Sequence, residues 1–70
     1  MTRTAARIPA ADLRVRHIAD LAAFHRAVEV ADVVTVDGST TVLAYDVHGE
    51  IVRTRLAATD TVRVWGVADA

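Results

Sequence analysis

The pattern of apolar and polar residues predicts helix in the N-terminal half of the chain and strands in the rest. From residue 18 to residue 29, the larger apolar side chains recur at the spacing of one helix face. The segment is also rich in alanine and free of glycine and proline, which favours helix. The apolar stripe consists of Ile18, Leu21, Phe24 and Val28. We therefore expect an amphipathic helix over residues 18–29.

The segment before this helix allows two interpretations. Residues 13–17 alternate apolar and charged side chains, as a half-buried strand does. Alternatively, the helix extends back to Pro9, since proline is tolerated at the first helical position. We expect the strand, with an N-terminal arm over residues 1–10.

Residues 32–67 have the pattern of a β-meander. Strands are predicted over residues 33–36, 41–47, 50–57 and 61–67. The turns between them are predicted at residues 37–40, at His48-Gly49 and at residues 58–60. The predicted fold class is α+β, an antiparallel β-meander of three to five strands with one helix packed on one face. Residues 11–68 are expected to form this single domain.

Pairing these strands through their turns assigns the side chains to two faces. With a two-residue turn at His48-Gly49, Tyr45 lies opposite Val52, and residues directly opposite share a face. The face expected to pack on the helix carries Val34, Val36, Leu43, Tyr45, Val52, Leu56, Val62 and Val64. The other face carries Val33, Val42, Ala44, Ile51, Trp65 and Val67 among Thr35, Arg53, Arg55 and Arg63.

The second face is predicted to be a protein interface, because a single helix cannot cover both faces of a sheet. Tryptophan and arginine are enriched at interface hot spots, and Arg53 is expected opposite Trp65 at cation–π distance. The candidate interface consists of Trp65, Arg53, Arg55, Arg63, Ile51, Val42 and Val67. The alternative is cover from within the chain, by the N-terminal strand, the arm or a bend of the sheet.

Size and composition also favour association with a partner. The chain has 70 residues and no cysteine, so the disulfides that stabilise many small domains are excluded. All eight basic residues are arginine, and lysine, asparagine and glutamine are absent, which indicates a GC-rich bacterial or phage coding bias. No apolar run approaches the roughly 20 residues of a membrane span. We expect a cytoplasmic protein.

The sequence contains no motif for catalysis, for a cofactor or for a metal. Ser39 is the only serine, and a predicted strand of about 23 Å separates it from His48. The histidines His17, His25 and His48 include no pair at the i,i+4 spacing of a helical metal site. We therefore expect no enzyme activity, no cofactor and no metal.

The sequence thus predicts a small non-catalytic interaction or structural module. It would form a homo-oligomer or join a larger assembly, such as a phage particle. The alternative is a nucleic-acid-binding regulator, although the net charge of −1 disfavours it. That function would use Arg53, Arg55, Arg63, Arg3 and Arg7. A third interpretation is a subunit of an enzyme whose active site lies elsewhere.

Overall fold

The computed structural model describes residues 5–24 and 26–68, which form a single antiparallel sheet. The elements are β1 (Ala6–Pro9), a 3₁₀ helix (Ala10–Asp12), β2 (His17–Asp20), β3 (Ala27–Val36), β4 (Ser39–Tyr45), β5 (Ile51–Ala57) and β6 (Thr61–Val67). The strand order is β1-β6-β2-β3-β4-β5, and each neighbouring pair is antiparallel. No helix of the described residues is long and apolar enough to cross a membrane.

The prediction of an α+β fold is wrong. Among the described residues, the one helical segment is the 3₁₀ helix of three residues, and no α-helix packs on the sheet. Residues 18–29 instead contribute to β2, a loop and the start of β3. Three residues of the expected apolar stripe still contribute to the interior, since Leu21 and Val28 are buried and Phe24 packs against the core. Pairing of β2 with both β3 and β6 overrides the local helix propensity.

The N-terminal segments also differ from their expected structures. The strand expected at residues 13–17 is misplaced, because β2 begins at His17. Of the segment expected to form an arm, Ala6–Pro9 is β1 and pairs with β6, while residues 1–4 lie outside the described residues. Proline 9 precedes the 3₁₀ helix as its N-cap residue rather than starting an α-helix.

The four strands expected after residue 32 are all present, although β3 begins at Ala27, and all three of their connections differ from the prediction. The third connection does not form the hairpin of a β-meander, since β6 pairs with β1 and β2 and not with β5. Asp37 and Gly38 have φ angles of 50° and 78°, the positive values of a two-residue type I′ turn. Val36 therefore pairs with Ser39. The turn has two residues instead of the predicted four, so the pairing of β3 with β4 differs from the prediction by two residues. Because side chains alternate with a period of two, those of β3 and β4 keep their predicted faces relative to each other.

The pairing predicted across the β4–β5 connection is wrong by one residue. This error reverses the faces of β3 and β4 relative to those of β5 and β6. The loop contains five residues, and its Asp46 carboxylate accepts hydrogen bonds from the backbone N–H groups of His48 (2.8 Å) and Glu50 (2.9 Å). Tyr45 consequently pairs with Ile51 rather than Val52. A slip of one residue moves a whole strand to the other face.

The reversal exchanges predicted core and predicted surface on β3 and β4. Val42 and Ala44, expected on the interface face, are fully buried. Val34, Val36 and Tyr45, expected in the core, are exposed. The inner face is lined by Ala10, Leu13, Ala19, Leu21, Val28, Val30, Val42, Ala44, Val62 and Val64.

The sheet encloses this core by curling on itself. Residues 58–60 connect the edge strand β5 to β6, which lies four positions away in the sheet. Four strand spacings in a flat sheet are about 19 Å, whereas the four Cα steps from Ala57 to Thr61 reach at most about 15 Å. The short connection therefore requires curvature.

A bulge and the 3₁₀ helix complete the enclosure. Strand β3 pairs first with β2 and then with β4, and its register shifts between Val30 and Asp32, where a bulge bends the strand. The 3₁₀ helix binds the β5–β6 connection, since the Ala10 N–H donates to the Asp60 carbonyl at 2.7 Å. The adjoining Leu13 is fully buried.

We expect Leu13→Ala to destabilise the protein strongly, because it removes a large side chain that has no solvent exposure. The expected loss is about 2–5 kcal/mol, from lost burial and the cavity left behind. Urea denaturation followed by circular dichroism measures it. Val15→Ala is the control, at a position 51% exposed, and should change stability by no more than about 0.5 kcal/mol. Equal effects of the two substitutions would contradict the position of Leu13 in the core.

Candidate interaction surfaces

The structure divides the predicted interface residues among three locations. Val42 lies in the core and is not available to a partner. Three residues of β5 are exposed on the outer face of the sheet, namely Ile51, Arg53 and Arg55. The other three lie on β6, namely Arg63, Trp65 and Val67. Strands β2, β3 and β4 separate these two groups in the sheet.

Trp65 is half-buried and has polar partners within its own chain. Its indole Nε1–H donates to Asp20 Oδ2 at 3.0 Å. Arg63 Nη1 lies 3.8 Å from the same carboxylate oxygen, and the Arg63 guanidinium carbon lies 6.0 Å from the Trp65 ring centroid. Trp65 therefore makes its cation–π contact with Arg63 and not with Arg53, because β5 and β6 are not paired.

The role of Asp20 could not be predicted from the sequence, because 45 residues separate it from Trp65. The contact arises from the antiparallel pairing of β2 with β6, in which Asp20 lies opposite Arg63. Arg7 of β1 lies opposite Arg63 on the other side. Arg7, Asp20, Thr61 and Arg63 line a shallow surface depression. The depression is lined by two guanidinium groups and one carboxylate, so its net charge is +1.

Strand β5 carries the other two arginines of the predicted interface. Arg53 lies opposite Leu43, and Arg55 lies opposite Thr41. Within residues 5–24 and 26–68, the one ion pair joins Asp20 to Arg63, so neither arginine of β5 has a carboxylate partner there. These two guanidinium groups are exposed and available to an acidic group from outside.

Exposed apolar side chains lie beside these arginines on the same face. Tyr45 and Ile51 form a cross-strand pair, and Ile51 is 56% exposed. Leu43 is half-buried next to them. Val34 and Val36 extend the apolar area along β3. We call this surface, formed by Val34, Val36, Leu43, Tyr45, Ile51, Arg53 and Arg55, the outer patch.

The backbone of β5 is open along the side that faces away from β4. The Asp46 N–H donates to the Glu50 carbonyl, and the Ala58 N–H donates to the Gly38 carbonyl, both at 2.8 Å. Hydrogen-bonded pairs alternate along an antiparallel ladder. Even-numbered residues of β5 therefore bond to β4, and odd-numbered residues direct their N–H and C=O groups outward. We call the outward groups of Ile51, Arg53 and Arg55 the β5 edge.

Within residues 5–24 and 26–68, the histidine and serine side chains do not form a recognisable reactive site. His17 Nδ1 accepts a hydrogen bond from the Arg14 backbone N–H at 2.9 Å, a local turn contact. His48 lies in the β4–β5 loop, Ser39 lies at the other end of β4, and His25 lies outside the described residues. In the described part of the chain, no three His, Asp or Glu side chains come close enough to hold a metal ion.

Comparisons of this chain with protein-family models, with curated proteins and with solved structures find no match. No residue role is therefore carried over from another protein. The candidate surfaces are defined by exposure, charge and hydrogen bonding alone.

We expect the hydrogen bond between Trp65 and Asp20 to matter more than the ion pair between Arg63 and Asp20. The ion pair joins side chains that are 47% and 39% exposed, where such pairs contribute little. Asp20→Asn keeps an acceptor for the indole and should retain nearly full stability, whereas Asp20→Ala should cost about 0.5–1.5 kcal/mol. Denaturant unfolding measures both values.

The indole N–H resonance of the single tryptophan provides a second measurement for these variants. It should move far in Asp20→Ala and less in Asp20→Asn. Equal loss of stability in both variants would show that charge, and not the hydrogen bond, makes the larger contribution.

Proposed function

We propose that this chain is a non-catalytic interaction module that self-associates or joins a larger assembly. The observation that supports this function is the outer patch, which combines exposed apolar side chains on one sheet face with arginines that have no carboxylate partner among the described residues. Apolar patches flanked by polar residues are typical of protein-binding surfaces.

The energetics of a small domain favour covering this patch. A chain of 70 residues has little stability to spare, since small domains bury a low fraction of their surface. Burial of apolar area contributes roughly 25 cal/mol per Å². Val34 and Val36 are 54% and 60% exposed, so a large share of their apolar area is still available for burial. A partner that covers them stabilises the fold as it binds.

A second copy of the chain is one partner that fits this face. Twofold contacts are the commonest arrangement in homo-oligomers, and each copy presents the same patch to the other. Tyr45 and Ile51 would lie in the buried part of such a contact. Arg53 and Arg55 would lie at its margin, where they keep their hydration. Trp65, placed on β6 beside Asp20, does not belong to this patch.

The arrangement of the arginines gives less support to the nucleic-acid alternative. Arg53 and Arg55 lie on β5, while Arg7 and Arg63 lie on β1 and β6 at the other end of the strand order. Arg3 lies outside the described residues. Stacking of bases requires accessible aromatic rings, and Trp65 is half-buried beside an acidic side chain.

The self-association proposal predicts a concentration-dependent change in sedimentation velocity. We expect Tyr45→Ser/Ile51→Ser to weaken association about tenfold or more, because it removes apolar contacts from the centre of the patch. The control is Val15→Ser/Val67→Ser, which changes two residues exposed by 51% and 64% outside the outer patch. Circular dichroism confirms that each variant is folded. A wild-type protein that stays monomeric, or a control that weakens association equally, would contradict the proposal.

For nucleic acid we expect no detectable binding to duplex or single-stranded DNA or RNA at low salt. The reason is the net charge of −1, which offers no electrostatic attraction to a phosphate backbone. Fluorescence anisotropy over a salt series measures this. Binding that weakens steeply with salt, and less steeply in the Arg53→Gln/Arg55→Gln/Arg63→Gln variant, would support the regulator instead.

A further inference from the structure

We propose that the β5 edge binds an extended strand of another protein, in which acidic and apolar residues alternate. The added strand would lie antiparallel to β5 and become a seventh strand of the sheet. This inference rests on the proposed interaction function, but it concerns the strand edge and not the outer patch as a whole.

The first observation is the unpaired backbone of β5. Ile51, Arg53 and Arg55 each direct one N–H and one C=O group outward, six groups in all, and none of them has a partner among residues 5–24 and 26–68. The open length ends at Ala57, whose N–H donates to Asp60 Oδ2 at 3.1 Å. The Asp60 N–H in turn donates to the Ala57 carbonyl at 2.9 Å. A short extended segment is what these groups can bind.

The opposite edge of the sheet is protected. Strand β1 has four residues and ends at Pro9, which has no N–H group to offer to another strand. Natural sheets use short strands and proline in this way to prevent pairing at an edge. Strand β5 has seven residues and no proline. It can therefore offer an N–H group at each outward position, whereas β1 cannot.

The second observation is that the inner side of β5 lacks cover. Val52 lies opposite Ala44 on the inner face, and yet Val52 is 37% exposed whereas Ala44 is completely buried. Leu56, also on the inner face, is only half-buried. Both side chains lie on the edge strand, where no further strand of the described residues covers them. Apolar residues of an added strand would pack against these two side chains and extend the core.

The third observation sets the chemistry of the outer side. Arg53 and Arg55 share the outer face with Ile51 and have no carboxylate partner in the described part of the chain. Residues directly opposite each other on neighbouring strands share a face, and opposite charges there stabilise the pair. The residues of the added strand that face Arg53 and Arg55 should therefore be aspartate or glutamate.

The same charges disfavour a second copy of β5 at this edge. A twofold pairing that uses the whole strand centres on Thr54. It places Arg53 of each copy opposite Arg55 of the other copy, and like charges directly opposite are destabilising. An acidic strand from another protein avoids this repulsion.

The probe for the test is an end-capped seven-residue peptide that alternates valine and glutamate and has valine at both ends. Amide hydrogen exchange by NMR follows the wild-type protein with and without this peptide. With peptide at about ten times its Kd, the N–H groups of Ile51, Arg53 and Arg55 should exchange about tenfold more slowly. The N–H groups of Val52 and Thr54 already bond to β4 and should change less.

N-methylation of the peptide tests the backbone pairing, and changes of charge in the protein or the peptide test the ionic contacts. In an antiparallel pair, each glutamate opposite an arginine directs its N–H toward β5, and each valine directs its N–H away. N-methylation of the glutamates should abolish binding, and N-methylation of the two internal valines should preserve most of it. The Arg53→Gln/Arg55→Gln variant should bind the peptide roughly two- to thirtyfold more weakly. A peptide with lysine in place of glutamate should bind weakly or not at all.

Three results would overturn the inference. They are unchanged exchange at the β5 edge with saturating peptide, equal effects of the two N-methylations, and equal binding of the lysine peptide. Protection of the same N–H groups on concentrating the protein without peptide would assign the edge to a second copy. Sedimentation of the peptide-free protein reports self-association independently. A chain that self-associates but ignores the peptide therefore rejects this inference alone.

Discussion

The connection between β5 and β6 is the constraint on which the rest of the structure depends. Its three residues join strands that lie four positions apart, so the sheet must curl. Curling turns one face of the sheet inward, and that face becomes the core without any α-helix in the described residues. The bulge in β3 and the 3₁₀ helix follow from the same geometry, since one bends the sheet and the other covers its end.

The curl also explains why the interaction surfaces lie where they do. A sheet that curls without closing keeps two edges, and here proline protects one edge while the other stays open. The core side chains are mostly valine and alanine, which fill a narrow interior. Thr40 is also buried among them, and its hydroxyl is hydrogen-bonded to Thr35 Oγ1 at 2.8 Å, which offsets the cost of burying a polar group. Larger apolar residues such as Tyr45 and Ile51 remain outside, beside the arginines of β5.

The loop at Asp46 shows how a small local feature controls a large part of the prediction. The strands on both sides of this loop are recognisable from their residues, and the Gly49 φ of 79° fits a turn. The Asp46 carboxylate, however, organises five loop residues instead of two. Because of this one-residue difference in pairing, Val42 lies in the core although it was predicted at the interface. Tyr45 is exposed although it was predicted in the core. The length of this loop could not be predicted from the sequence, because it depends on the hydrogen bonds of the Asp46 side chain.

The sequence by itself determined that four strands follow residue 32, that a turn begins at Asp37 and that Arg53 and Arg55 lie outside the core. These features depend on β-branched residues, on glycine and on charge, which act over a few neighbouring positions. Only the tertiary structure decided that β2 and the start of β3 replace the helix expected over residues 18–29, that β6 pairs with β1 and β2, and that Trp65 contacts Asp20 and Arg63. Each of these outcomes depends on pairing between strands far apart in the chain, and local spacing of apolar residues carries no information about that pairing.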